Sequence, residues 1–233
     1  IDLLAITDKY VDLRPPLTPA VPYTGNPLAD LLAIRTTALH SLRLAFPEAE
    51  VDNTKSRCVS ISGGSLSRKV DAVACNWLHT EGYERTRLKS LRGIQILDTD
   101  GPRRVPNFPF LHNFRIAERD DATGGALRRC IRLVKSVRYD SEVNIRFSSY
   151  DIAAVCYNIP TSALANQPDV ALALTFLRFA DAVLTDESAR AALMVPNETR
   201  RVFGGDEGAE VSEFAKLVEE MVDLLSAALP RAA

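Results

Sequence analysis

Two short runs set a carboxylate inside an apolar stretch. In "IDLLAI" Asp2 precedes Leu3, Leu4, Ala5 and Ile6, and in "KVDAVAC" Asp71 lies among Val70, Ala72, Val73 and Ala74. Strand alternation in the second run puts Val70, Ala72 and Ala74 on one face and Asp71, Val73 and Cys75 on the other, so Asp71 shares a face with apolar neighbours. A carboxylate there is costly unless it is protonated, paired with a base such as Arg68 or Lys69, or bound to a metal. Two such strands side by side would bring two carboxylates within reach of one hard cation. Magnesium, with its oxygen ligands and octahedral geometry, is the natural occupant.

A second group of residues has the chemistry to hold a nucleotide. The run "GGALRRCIRLVKSVRY" has helical spacing, with Leu127, Ile131, Val134 and Arg138 on one stripe and Arg128, Arg132 and Lys135 clustered on the other side. Cations placed so could sit over a phosphate chain, and the same pattern equally makes a solvated basic face. In "FSSYDI" two hydroxyls and an aromatic ring stand at a helix start. They could bind phosphate through the exposed N–H groups and stack a purine, a contact worth roughly 1 to 3 kcal/mol. The alternative is a serine N-cap followed by a core tyrosine. His40, His79 and His112 are too scattered for a zinc set or a Ser-His-Asp arrangement, and Ser62-Gly63-Gly64 reads as a hairpin turn.

The elements that must position these residues change character near the middle of the chain. Up to about residue 115 strand-like runs alternate with loops: "DLLAI", a Pro-rich stretch, one helix from Leu28 to Phe46, then "RCVSISG" and "KVDAVAC". Beyond that the helical period repeats in "SYDIAAVCYNI", "DVALALTFLRFADAVL" and "EFAKLVEEMVDLLSAAL", with "FGGDEGAE" as an exposed loop before the last helix. Of the 233 residues 46% are hydrophobic and 25% charged, which excludes disordered and fibrous classes. No run reaches the roughly 18 to 20 apolar residues of a membrane span, and the expectation is a soluble, cytoplasmic protein without a membrane partner. Cys58, Cys75, Cys130 and Cys156 are widely spaced among apolar residues and read as reduced core thiols. A net charge of -2 gives no bulk case for nucleic acid as a partner.

The residues resemble a family. "IDLLAI" and "KVDAVAC" look like the second and third carboxylate strands of polymerase-beta-superfamily nucleotidyltransferases, and the resemblance places the first Asp and its Gly-Ser turn upstream of Ile1. "CIRLVK" followed by "FSSYDIAAVCYNIP" resembles cyclic GMP-AMP synthase and its bacterial relatives, the CD-NTases, and looser similarity runs through "TRLKSLRGIQILD" and "VPNFPFLHN" to "ESARAALMVPNETRRVF". The resemblance implies an α+β chain, with a mixed-sheet catalytic core over residues 1–115, N-terminally incomplete, and a helical domain over 116–233 that clamps nucleotides. It implies catalysis by Asp2 and Asp71 as ligands of two Mg2+ ions, and nucleotide binding by Lys135, Ser149 and Tyr150: lysine on the triphosphate, serine on phosphate, tyrosine on a base. The expected substrates are nucleoside triphosphates such as ATP or GTP. The expected product is a cyclic or linear oligonucleotide second messenger that acts on an effector in antiphage defence. Template-independent transfer onto RNA and a catalytically inactive binding protein of the same fold are the alternatives.

Overall fold

The structure is a computed structural model that describes residues 2–205 and 208–228. Asp206 and Glu207, in the loop expected at 203–210, lie outside the described residues. The chain divides into two compact units, residues 1–111 and 112–233.

The first unit is a six-stranded mixed sheet carrying one long helix. Its strands are β1 (Asp2–Leu13), β2 (Glu50–Asp52), β3 (Val59–Ser62), β4 (Val70–His79), β5 (Gly93–Asp98) and β6 (Arg103–Asn107). β1 runs parallel to β4 along one edge of that strand, while β3 and β5 pair with it antiparallel, β3 over residues 70–72 and β5 over 75–78. Because β1 occupies one edge of β4 throughout, β3 and β5 share the other.

Helix α1 (Pro27–Ala45) starts with Pro27 at its first position and Asn26 as its cap, whose side chain accepts from the Ala29 N–H at 3.2 Å. It packs Leu31 against Ala74 and Leu97, with Leu28 and Ile34 beside them. Burying Leu31 contributes about 2 kcal/mol. Since Ala74 points at α1, strand alternation puts Val70 and Ala72 on the covered face and Asp71 on the opposite one. Val59 and Ile61 of β3, registered with Ala72 and Val70, are fully buried on the helix side. Gly63 and Gly64 both take positive φ between β3 and β4, the turn that "SISGG" foreshadows. At the far end of β4, Arg92 lies 3.4 Å over the Trp77 ring, so this tryptophan serves packing six residues beyond Asp71.

The second unit is helical: α3 (Pro109–Ala122), whose first turn belongs to the first unit, then α4 (Ala126–Asp140), α5 (Ser149–Asn158), α6 (Thr161–Leu164), α7 (Asp169–Thr185), α8 (Glu187–Ala192) and α9 (Val211–Ala228), with the short α2 (Glu81–Thr86) left in the first unit. Leu127, Ile131 and Val134 form the buried stripe of α4 at the spacing expected. Phe147, Phe203 and Phe214 cluster with ring centroids 5.1 to 5.9 Å apart and anchor α9 in the core. Cys75, Cys130 and Cys156 are buried and all four cysteines are free. Among the described residues no helix is long and apolar enough to cross a membrane.

Candidate functional site

Strand register assembles the first site. Asp2 stands opposite Asp71 in the parallel β1–β4 ladder. Asp71 stands opposite Ser60, and Ser60 opposite Asp52. Registered residues on neighbouring strands lie about 4.8 Å apart and point to the same face. One rank of four polar side chains, Asp2, Asp71, Ser60 and Asp52, therefore crosses four strands on the face away from α1.

Asp71 is held by its neighbours. The Ser60 hydroxyl donates to Asp71 Oδ1, and the Lys55 Nζ lies 3.5 Å from the same oxygen. Burial alone would push this carboxyl up, but the Ser60 hydrogen bond and the Lys55 and Lys69 ammonium groups outweigh it and hold it below its ordinary value. Sequence expected Arg68 or Lys69 as the base beside Asp71. The Lys69 charge does act on Asp71, and Lys55, sixteen residues upstream, adds an ion pair, because β3 folds back and brings the β2–β3 connection to this end of the sheet. Asp52 is turned to its own loop and accepts from the Thr54 N–H and hydroxyl at 2.8 and 2.6 Å.

The donor set suits a hard divalent cation. Among the described residues no group of three or more His, Cys, Asp or Glu side chains could hold a metal ion, so a complete protein cage is lacking. Two carboxylates side by side are nevertheless what Mg2+ uses when substrate phosphates and water complete its octahedron.

In the second unit, Lys135, Arg132, Arg138 and Ser149 line a shallow cavity of about 390 Å³ with Ser136 and Tyr139. Three cations and three hydroxyl-bearing side chains make it suited to an anion such as a phosphate. Ser148 is the N-cap of α5, accepting from the Asp151 N–H at 3.1 Å, which frees Ser149 to receive Arg138 Nη2 at 3.0 Å. Burial, with the adjacent Arg138, pushes the Lys135 ammonium below its ordinary value. The basic cluster differs in membership from the one read off the helical pattern. Arg128 is tied back to Asp120 at 3.3 Å, and Arg138, placed on the apolar stripe by periodicity, lines the cavity and donates to Phe147 O. A long side chain at the end of a helix leaves its stripe by snorkelling.

Tyr150 is not among the residues that line this cavity. Its ring stacks on His112 at 4.6 Å between centroids, its hydroxyl donates to Asn197 Oδ1 at 3.0 Å, and Arg200 Cζ lies 5.4 Å from its centroid. Arg200 also pairs with the buried Asp151 at 2.6 Å. His112, Asn197 and Arg200 were not singled out by spacing, since they come from segments 38 to 50 residues away from Tyr150 in sequence; only the fold shows them. Burial, then the nearby Lys135 charge, pushes His112 down to about 4 from an ordinary 6.5, and its Nδ1 is buried with no hydrogen-bond partner among the described residues. A histidine neutral in the fold but titrating near 6.5 when unfolded makes the unfolded chain bind the extra proton between these values. Stability is thus expected to be lost as pH falls from about 6.5 towards about 4. Melting temperature against pH should fall less steeply for His112→Gln than for wild type, and parallel curves would refute this.

Residues 115–226 match the cGAS/DncV-like nucleotidyltransferase C-terminal helical domain. Over 198 residues the chain is 32% identical to the cyclic dinucleotide synthase CdnE of Yersinia aleksiciae, covering 82% of this chain and 52% of that one. It is 37% identical over 116 residues to a c-di-GMP synthase of a Lachnospiraceae bacterium, covering 49% of this chain and 34% of that one. The chain thus spans about half the length of the first of these relatives and a third of the second. The fold matches the STING-associated CdnE c-di-GMP synthase of Capnocytophaga granulosa with a TM-score of 0.75 at 24% identity, over 97% of this chain and 67% of that one. It matches the Rhodothermus marinus CdnE c-UMP-AMP synthase with a TM-score of 0.73 at 15% identity, over 100% and 78%. The sheet is accordingly a polymerase-beta-like core, its helical partner is the C-terminal domain of that family, and the chain belongs to the cGAS/DncV-like nucleotidyltransferases, the CD-NTases.

Proposed function

We propose that this protein is a Mg2+-dependent nucleotidyltransferase that joins nucleoside triphosphates into a cyclic or linear oligonucleotide second messenger. The observation that carries the reading is the registered pair Asp2 and Asp71 on the open face of the sheet. Divalent cations held there, two in number, would stabilise charge on the transferring phosphoryl group and acidify the acceptor hydroxyl. Ser60 orients the Asp71 carboxylate, and the positive surroundings keep it ionised and able to act as a ligand. Lys135 and Ser149 bind phosphate oxygens in their cavity, where a desolvated ammonium interacts more strongly than it would in water. Tyr150 presents its ring to a base from a position braced by His112 and Asn197.

The relatives named c-di-GMP and cyclic dinucleotide synthases make GTP and ATP the first substrates to examine. The STING association of one matching structure supports a product that acts on an effector; in this reading the synthase works in the cytoplasm, in antiphage signalling. The purified protein incubated with each labelled triphosphate and Mg2+ or Mn2+ should release pyrophosphate and yield a small phosphatase-resistant product on chromatography. A lengthened RNA primer would favour template-independent RNA transfer instead. Nucleotide binding without turnover would mark an inactive member of the fold.

A further inference from the structure

The loop between β2 and β3 is gripped from the helix side of the sheet. Arg35 of α1 is 8% exposed, and its guanidinium donates to three loop carbonyls: Asn53 O at 3.1 Å, Lys55 O at 2.6 Å and Ser56 O at 3.4 Å. Ser56 O also accepts from the N–H and hydroxyl of Thr99, each at 3.1 Å. Asp52 fixes the start of the loop through Thr54. Surface connections are ordinarily more mobile than the elements they join, and a buried arginine is tolerated only where carbonyls or carboxylates satisfy it. Here its three bonds all go to the backbone of one loop, so they define where that loop's side chains stand.

What the loop presents is Lys55, with its ammonium 3.5 Å from Asp71 Oδ1. The geometry points to a role for this arrangement that rests on the carboxylate reading above: Arg35 is a positioning residue that delivers Lys55 to Asp71 as a resident cation, which a divalent ion must displace to bind. Lys55 is suited to leaving. Its side chain is 43% exposed, and its long stem can swing the charge into solvent while the clamped backbone stays in place. The loop thereby neutralises Asp71 before metal arrives and sets a threshold for metal binding.

The test is Mn2+ titrated into the whole chain without nucleotide, free ion being read from its electron paramagnetic resonance signal. Lys55→Met keeps the volume and removes the charge, and it should bind Mn2+ roughly tenfold more tightly than wild type, the worth of one charge at this distance in a partly solvated site. Arg35→Lys cannot satisfy three carbonyls at once, so it should release the loop, lower the melting temperature and also tighten Mn2+ binding by several-fold. Equal or weaker Mn2+ affinity in Lys55→Met overturns the role of Lys55 and leaves the carboxylate reading standing. A lower melting temperature with unchanged affinity in Arg35→Lys overturns the positioning role of Arg35. Mn2+ affinity in Asp71→Asn equal to wild type overturns the carboxylate reading itself, and the resident-cation role with it.

Discussion

Asp71→Asn is expected to lower nucleotidyl transfer by roughly 10³-fold or more while the protein stays folded. A ligand that fixes a divalent ion supports several kcal/mol of transition-state charge stabilisation, and about 4 kcal/mol is a thousandfold in rate. The stability cost is far smaller. Asparagine keeps an oxygen to accept from Ser60 and gives up the attraction of Lys69 and the Lys55 pair, which is partly exposed at both ends and so is worth about 1 kcal/mol or less. Activity and melting temperature should therefore separate. Product formation and thermal unfolding measured on the same preparation check this, and activity within tenfold of wild type would remove Asp71 from the catalytic reading. Asp2→Asn should behave alike, at the exposed end of the same rank.

Tyr150→Ala and Lys135→Ala are expected to fail in different ways. Removing the Tyr150 ring takes away its stack on His112 and its bond to Asn197, so stability should drop by about 2 to 3 kcal/mol. Tyr150→Phe isolates the hydroxyl and should cost about 1 kcal/mol. In the folded fraction of Tyr150→Ala, affinity should fall equally for a triphosphate and its nucleoside, by the worth of one stacking contact, roughly 1 to 3 kcal/mol. Lys135→Ala removes a half-buried charge beside Arg138, so it should leave the melting temperature unchanged or raise it slightly. It should weaken triphosphate binding tenfold or more and leave the nucleoside untouched. Calorimetric affinities for GTP and guanosine, set against melting temperatures, distinguish the two. Normal affinity in both variants with early melting of Tyr150→Ala would leave α4 and α5 as scaffold alone.

How much of this was legible in the chain itself follows from the range of each interaction. The carboxylate strands, the apolar positions of the α4 stripe and the turn at Gly63 and Gly64 are local patterns and are found where the sequence puts them, while the change from sheet to helix, read near residue 115, comes at α3, which starts at Pro109. Ser149 at a helix start could be read in the same way, because capping depends on neighbours three residues apart.

Other features depend on which strand lies beside which. Nothing local says that Asp2 meets Asp71 rather than a residue one step along, and a slip of one place would turn one of them to the opposite face. Ser60 and Lys55 carry no motif. They reach Asp71 because the antiparallel return of β3 sets Ser60 opposite it, and because Arg35, buried under the sheet, fixes the loop that bears Lys55. Arg138 was assigned to the apolar stripe since periodicity locates a Cα and not the end of a flexible side chain. The stack of Tyr150 on His112 likewise joins residues 38 positions apart. The sequence by itself therefore determined the elements and the types of residue able to do chemistry, through short-range patterning. Tertiary structure alone decided the register, the partners of each charge and the bracing of each ring, because these arise from long-range packing that leaves no periodic trace along the chain.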